Sequence, residues 1–165
     1  KIREDAEPLG VRVYFLRQKI TRGLGHAIGC ARGFVGDEPF AILYGDDIIL
    51  SEKPVVAQMI ESYEKYGRSV CGVKEVSTEL VKKYCSLKTH PIDGSENEFF
   101  VDDMIEKPKK GEEFSNLSIL GRVLLEPDIH KRGLKIVLKI LHPAFEDAAH
   151  KVSPLSLVYA FTANL

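Results

Sequence analysis

The sequence predicts one α/β domain whose mixed, mainly parallel sheet is flanked by helices. Three observations carry this. Strand-like apolar runs alternate with helix-spaced segments through the first half of the chain. FAILYG (40–45) is apolar along its whole length, as a strand buried on both faces would be. And 165 residues are enough for one sizeable core, but too few for two.

Taken in order, Val11, Val13 and Phe15 alternate with Arg12, Tyr14 and Arg17, with Leu16 breaking the polar side, so 11–18 reads as a strand. From Gly23 through Ala31, Leu24, Ala27 and Ile28 recur at helical spacing, with a stop at Gly33. FAILYG reads as a central parallel strand. Pro54 opens a helix in which Val55, Met59, Ile60 and Tyr63 share a face up to Gly67. SVCGVKEV (69–76) is another strand, which completes a βαβ rhythm. Beyond it, Ser77 to Tyr84 reads as a short helix. YCSLKTHPIDGSENEFFVDDMIEKP reads as two strands about a turn at Asp93-Gly94, and LSILGRVLL (117–125) as a further strand. From His130 the pattern weakens: LKIVLKIL suits a helix, and KVSPLSLVYAFTANL has no clear period.

Composition narrows the class of function. Acids and bases nearly cancel at a formal charge of −1, so no basic field invites nucleic acid. Cys30, Cys71 and Cys85 are scattered and odd in number, which argues against a disulfide framework or zinc site and fits a reducing cytoplasm. No stretch has the length of an apolar membrane span, and the charged opening KIREDAEPLG is unlike a signal peptide. The expectation is a cytoplasmic protein with neither nucleic acid nor membrane as partner. The opening at Lys1 leads straight into a strand, as if in the middle of a domain.

Four stretches could carry chemistry. Gly45-Asp46-Asp47 follows a strand-like run, where open α/β sheets place ligands. Asp46 either caps a turn or holds a hard cation with phosphate oxygens. RQKITRGLGHA (17–27) sets Gln18 at a strand end before a Gly-x-Gly turn. Gln18 offers the paired donor and acceptor atoms that suit a nucleobase edge, though a plain strand–helix turn explains the same letters. His26 reads as a hydrogen-bonded helix residue. Glu106-Lys107-Pro108 pairs a carboxylate for sugar hydroxyls with an ammonium for a phosphate, or is an ordinary exposed pair. Adjacent strand residues face opposite ways, so both meet one ligand only if the chain bends there. Asn116 at a strand mouth binds hydroxyls or forms an Asx turn.

The ordered set RQ…GLGHA, VGDEPFAILYGDDII, QMIESYEKYG, VDDMIEKP and SNLSILGR resembles the bacterial-type UTP–glucose-1-phosphate uridylyltransferases, or UDP-glucose pyrophosphorylases, from about Val11 to Ile129. The resemblance implies a Rossmann-like nucleotidyltransferase core, incomplete at its N-terminus. It would form UDP-glucose and pyrophosphate from UTP and glucose 1-phosphate with Mg²⁺, and the complete enzyme would be a homo-oligomer. It implies uracil contacts from Gln18 and Gly23, and a nucleotide and metal ligand in Asp46, with Asp47 supporting the turn. Glucose hydroxyls would fall to Glu106, and the sugar phosphate to Lys107, the one residue read as catalytic. Asn116 and Cys85 would stand at the sugar pocket.

Three departures qualify it. The family's opening Gly-rich loop, with an Arg and Lys that clasp the UTP phosphates, is absent. The family's Tyr-Gly reads Tyr84-Cys85, where the thiol would intrude on the sugar. The family's Gly-Gly-Glu-Ile-Gln-Leu-Thr-Asp stretch and later metal-site aspartate are missing after Ile129, so 130–165 reads as a divergent tail of one partial domain spanning 1–165. The expectation is a central fragment, inactive alone. The alternative is a non-catalytic nucleotide-sugar binding or regulatory module that has lost the phosphate loop.

Overall fold

The computed structural model describes residues 13–45, 48–130 and 158–162. Ten elements order the sheet: α1 (Leu24–Cys30), α2 (Arg32–Val35), β1 (Phe40–Leu43), α3 (Val55–Tyr66), β2 (Val70–Glu75), α4 (Thr78–Val81), β3 (Cys85–Pro91), β4 (Glu98–Glu106), β5 (Leu117–Leu125) and β6 (Val158–Thr162). A 3₁₀ turn, Pro127–His130, follows β5. The six strands form one sheet in the order β1-β5-β2-β6-β4-β3.

β5 runs antiparallel to β1 on one edge and to β2 on the other. Its alternating side chains divide the core into two layers. Val123 and Leu125 join Cys71, Val73, Cys85, Leu87 and Ile28 of α1 on one face. Leu124 joins Val70 with Val55 and Met59 of α3 on the other. Helices thus cover both faces, as the strand–helix alternation predicts. α3 ends where predicted: Gly67 takes the left-handed φ of 60° and its N–H donates to the Tyr63 carbonyl.

The remaining differences follow from pairing. The described part of the predicted first strand, 13–18, forms none, and Phe15 is 72% exposed. A strand needs a partner for its backbone groups, and none is present among the described residues. Among the described residues FAILYG is an edge strand, antiparallel to β5, rather than a central parallel one; Leu43 is 57% exposed. Only Phe40 and Ile42 pack against the core. The sheet is mixed, but its one parallel pairing among the described residues is β2 with β6. The others are antiparallel because β3 and β4 form a hairpin and β5 threads between β1 and β2. The predicted stop at Gly33 falls inside α2, and the turn ends at Gly36 (φ 64°), whose N–H donates to the Arg32 carbonyl. The tail gives a strand, β6, for which the sequence had no period. The predicted helix LKIVLKIL lies outside the described residues.

The hairpin is tied to α3 through Glu98. Ser62 donates to its Oε1 at 2.6 Å, while Tyr66, Lys65 and Ser95 donate to Oε2 at 2.8, 2.9 and 3.1 Å. Burial by itself would raise the Glu98 pKa. The hydrogen bonds from Ser62, Lys65, Tyr66 and Ser95 outweigh it and bring the carboxyl down to about 2. Because the folded value is depressed, the stabilisation is present above the unfolded carboxylate range and is lost as pH falls toward about 2. Glu98→Gln should therefore cost about 2 kcal/mol at neutral pH and flatten the acid limb of stability below about pH 5. Urea titrations of both proteins at neutral and acid pH check this; an unchanged acid limb would contradict it.

Candidate functional site

The start of β3, the end of β4 and the mouth of β5 meet at one place. Cys85 is the register partner of Glu106. The next residue breaks the alternation: Lys107 has φ 49°, the one positive φ outside glycine among the described residues. Its N–H donates to the Tyr84 carbonyl at 2.7 Å, and Pro108 beyond it is buried. A left-handed lysine costs about 1–3 kcal/mol, and such strain is held where surrounding bonds over-determine the backbone. Here the regular strand geometry, which would set Glu106 and Lys107 on opposite faces, ends at Lys107.

The loop that follows is fixed by buried serines. Ser86 is fully buried; its Oγ donates to the Ser115 carbonyl at 2.7 Å and accepts the N–H groups of Phe114 and Ser115 at 2.8 and 2.9 Å. Ser115 Oγ donates to the Leu87 carbonyl at 2.6 Å and accepts the Leu117 N–H at 3.1 Å. These bonds set Asn116, whose carbonyl accepts the Val76 N–H from the end of β2. Sequence reasoning missed Ser86, Ser115 and Ser118. The signal available was the Ser-x-x-Ser spacing around Asn116.

Cys85 lies in the core rather than at the surface. Its thiol is 3.3 Å from Ser118 Oγ and accepts the Ile119 N–H at 3.4 Å, while its own N–H donates to Ser118 Oγ at 3.3 Å. Burial pushes the thiol above its ordinary range, and the charge of Glu106 adds to this; the bonds from Ile119 and Ser118 oppose it. A thiol so held stays protonated and acts as a small packing group. Lys74, at the end of β2, stands 5.2 Å from the Tyr84 ring centroid and adds a cation to this end of the sheet.

Gln18 and Gly23 come together in a second cluster. Gln18 Nε2 donates to the Gly23 carbonyl at 3.3 Å and lies 2.7 Å from His26 Nδ1. Gly23 precedes α1 with φ 82° and ψ 175°, a conformation that disfavours any side chain. Leu24 and Ile28 of α1 join this turn to the apolar cluster that holds Cys85 and Leu87. Asp46 and Asp47 lie outside the described residues. Up to that point β1 is firmly held: Tyr44 N–H donates to the Gly121 carbonyl, and Arg122 donates to the Tyr44 carbonyl, both at 3.0 Å.

The profile of the family described as Nucleotidyl transferase matches residues 2–156. The chain belongs to that family. It is 47% identical over 117 residues to UTP–glucose-1-phosphate uridylyltransferase 2 of Staphylococcus saprophyticus, covering 71% of this chain and 40% of that one. The uridylyltransferase of Bacillus subtilis is 44% identical over 117 residues, with 71% and 39% coverage. A crystal structure of a UDP-glucose pyrophosphorylase complexed with UDP-glucose superposes with a TM-score of 0.73 at 31% identity, covering 91% of this chain and 57% of that one. The family resemblance read from the ordered motifs is borne out, and the chain spans about two fifths of the length of these curated relatives. Among the described residues no helix is long and apolar enough to cross a membrane.

The backbone at Lys107 makes a specific demand. Alanine ordinarily tolerates folding better than glycine, but at a left-handed position the order reverses. Lys107→Gly should be more stable than Lys107→Ala by about 1 kcal/mol. Denaturant unfolding of the two variants decides it, and an alanine variant of equal or greater stability would rule out the left-handed turn.

Proposed function

We propose that this chain supplies the base- and sugar-phosphate-binding part of a UTP–glucose-1-phosphate uridylyltransferase, which joins UTP and glucose 1-phosphate into UDP-glucose and releases pyrophosphate. The observation that carries the reading is the left-handed turn at Lys107, next to the Cys85–Glu106 pairing and the pinned Asn116. It lets a neighbouring carboxylate and ammonium serve one ligand that is hydroxylated at one end and anionic at the other.

In this reading Glu106 accepts hydrogen bonds from glucose hydroxyls, Asn116 contacts the same ring, and Lys107 draws in and orients the sugar phosphate. Gln18 and the Gly23 turn take the uracil. Cys85 shapes the sugar pocket through its backbone, with its thiol directed into the core. A sugar-phosphate oxygen attacks the α-phosphorus of UTP in line, and pyrophosphate leaves. Two polyanions must approach one another, so the rate comes from positioning and charge neutralisation rather than from a protein nucleophile.

Asp46 is the proposed ligand for Mg²⁺, with Asp47 supporting its turn. The donor chemistry fits, because hard carboxylate oxygens suit Mg²⁺ and the pair directly follows the backbone that Gly121 and Arg122 tie down. When bound, the ion would neutralise nucleotide phosphate charge. The balanced charge and the free Cys30, Cys71 and Cys85 support a cytoplasmic setting.

Calorimetry on the chain tests the assignments. Lys107→Ala should weaken glucose 1-phosphate binding about tenfold and change UMP binding little, since one desolvated charge contact contributes roughly that much. A loss confined to UMP would refute the role of Lys107. Asp46→Asn should abolish the tightening of UTP binding by Mg²⁺, while Asp47→Asn keeps most of it. A larger loss at Asp47 would reverse the assignment.

A further inference from the structure

His26 lies beside the proposed base contact and has no part in the reading above. Its Nδ1 is 2.7 Å from Gln18 Nε2, and the same Nε2 is 3.3 Å from the Gly23 carbonyl oxygen. A carbonyl oxygen only accepts, so the atom facing it must be the amide nitrogen; turning the amide over would set two acceptor oxygens against each other. The second hydrogen of Nε2 then points at His26 Nδ1. That nitrogen must be the bare, accepting one of a neutral ring whose hydrogen is on Nε2, because two donors cannot face each other at this distance. Cys30 Sγ, 3.9 Å from the same nitrogen, is compatible as a weak thiol donor.

Both amide hydrogens of Gln18 are thus held inside the protein. Among the described residues Oε1 has no partner, and it is the atom left for a ligand. We propose that His26 is a positioning residue that fixes Gln18 as a hydrogen-bond acceptor and thereby sets base preference. The site then favours a pyrimidine with a hydrogen on ring N3, uracil or thymine, over cytosine, whose N3 is itself an acceptor. The proposal rests on the reading of Gln18 as a base contact. Without an acceptor at position 26, only the long 3.3 Å contact to the Gly23 carbonyl opposes turning the amide over, and a small shift away from that oxygen lets the amide serve either base. With the ring held in the register that sets N3 against Oε1, a fixed acceptor opposes the lone pair of cytosine N3 while it accepts the N3 hydrogen of uracil. A site built around one hydrogen bond rejects ligands that lack its partner.

The test uses the 165-residue chain and two probes, UMP and CMP. In ¹⁵N spectra of the labelled wild-type chain, His26 Nδ1 should be unprotonated, and Gln18→Leu should shift its resonance. Calorimetry should show wild type preferring UMP by about tenfold or more. His26→Leu should lose most of that preference, mainly through tighter CMP binding, and His26→Gln, whose side-chain oxygen can accept, should restore part of it. A hydrogen on Nδ1 overturns the proposal directly, even if His26→Leu fails to fold. Unchanged preference in a folded His26→Leu overturns it while the base contact stands. A wild-type chain that binds both nucleotides equally, or neither, overturns the base contact and the proposal together.

Discussion

The pairing of β5 on both edges is the constraint on which the structure depends. This one strand holds β1 and β2 in place, gives one face of its side chains to the α1 layer and the other to the α3 layer, and presents Ser118 and Asn116 at its mouth. Its antiparallel direction also makes β1 and β2 parallel to each other, with their carboxyl ends pointing toward that mouth. The end of β1, Cys85 and Asn116 therefore take their positions from β5. Arg122 and Gly121 hold the end of β1, Ser118 receives Cys85, and the Ser86–Ser115 bonds fold the loop before Asn116 against it.

The same scaffold bears the local cost at Lys107. A left-handed lysine costs about 1–3 kcal/mol, whereas a net intramolecular hydrogen bond contributes only about 1. Three bonds on the fully buried Ser86 oxygen, together with Lys107 N–H to Tyr84, are of the size needed to hold the turn. Burial matters as much as number here. Opening the loop would leave Ser86 in the core with its hydroxyl unpaired, which penalises the alternative. Strain kept in place this way is consistent with the role proposed for Lys107, which needs its ammonium oriented before a sugar phosphate arrives.

Much of this was legible in the letters. The spans of α3, β2 and β5, the Asp93-Gly94 turn and the Gln18–Gly23 and Glu106–Lys107 neighbourhoods followed from periodicity, turn residues and motif order. Strand direction did not. FAILYG has the apolar content of a central strand, yet nothing in its own residues specifies which neighbour pairs with it, and that neighbour lies more than 70 residues away at Leu117–Leu125. β6 was invisible for the same reason, since a short apolar run carries no period until a sheet receives it. Cys85 was read as an intruding side chain because its type suggests bulk, while its direction is fixed by Ser118 and Ile119, residues distant in sequence. The Glu106–Lys107 bend was the one condition that the sequence could state but not meet, and Lys107 φ meets it.

The start of β3, the end of β4 and the mouth of β5 are the proposed sugar-phosphate site. Backbone chemical-shift mapping of the chain during titration with glucose 1-phosphate tests it most directly. The largest shifts are expected at Tyr84 to Ser86, Glu106 to Lys107 and Ser115 to Ser118, with little change along α3. Shifts concentrated on α3 or around Glu98, with the Lys107 turn silent at saturating ligand, would contradict it.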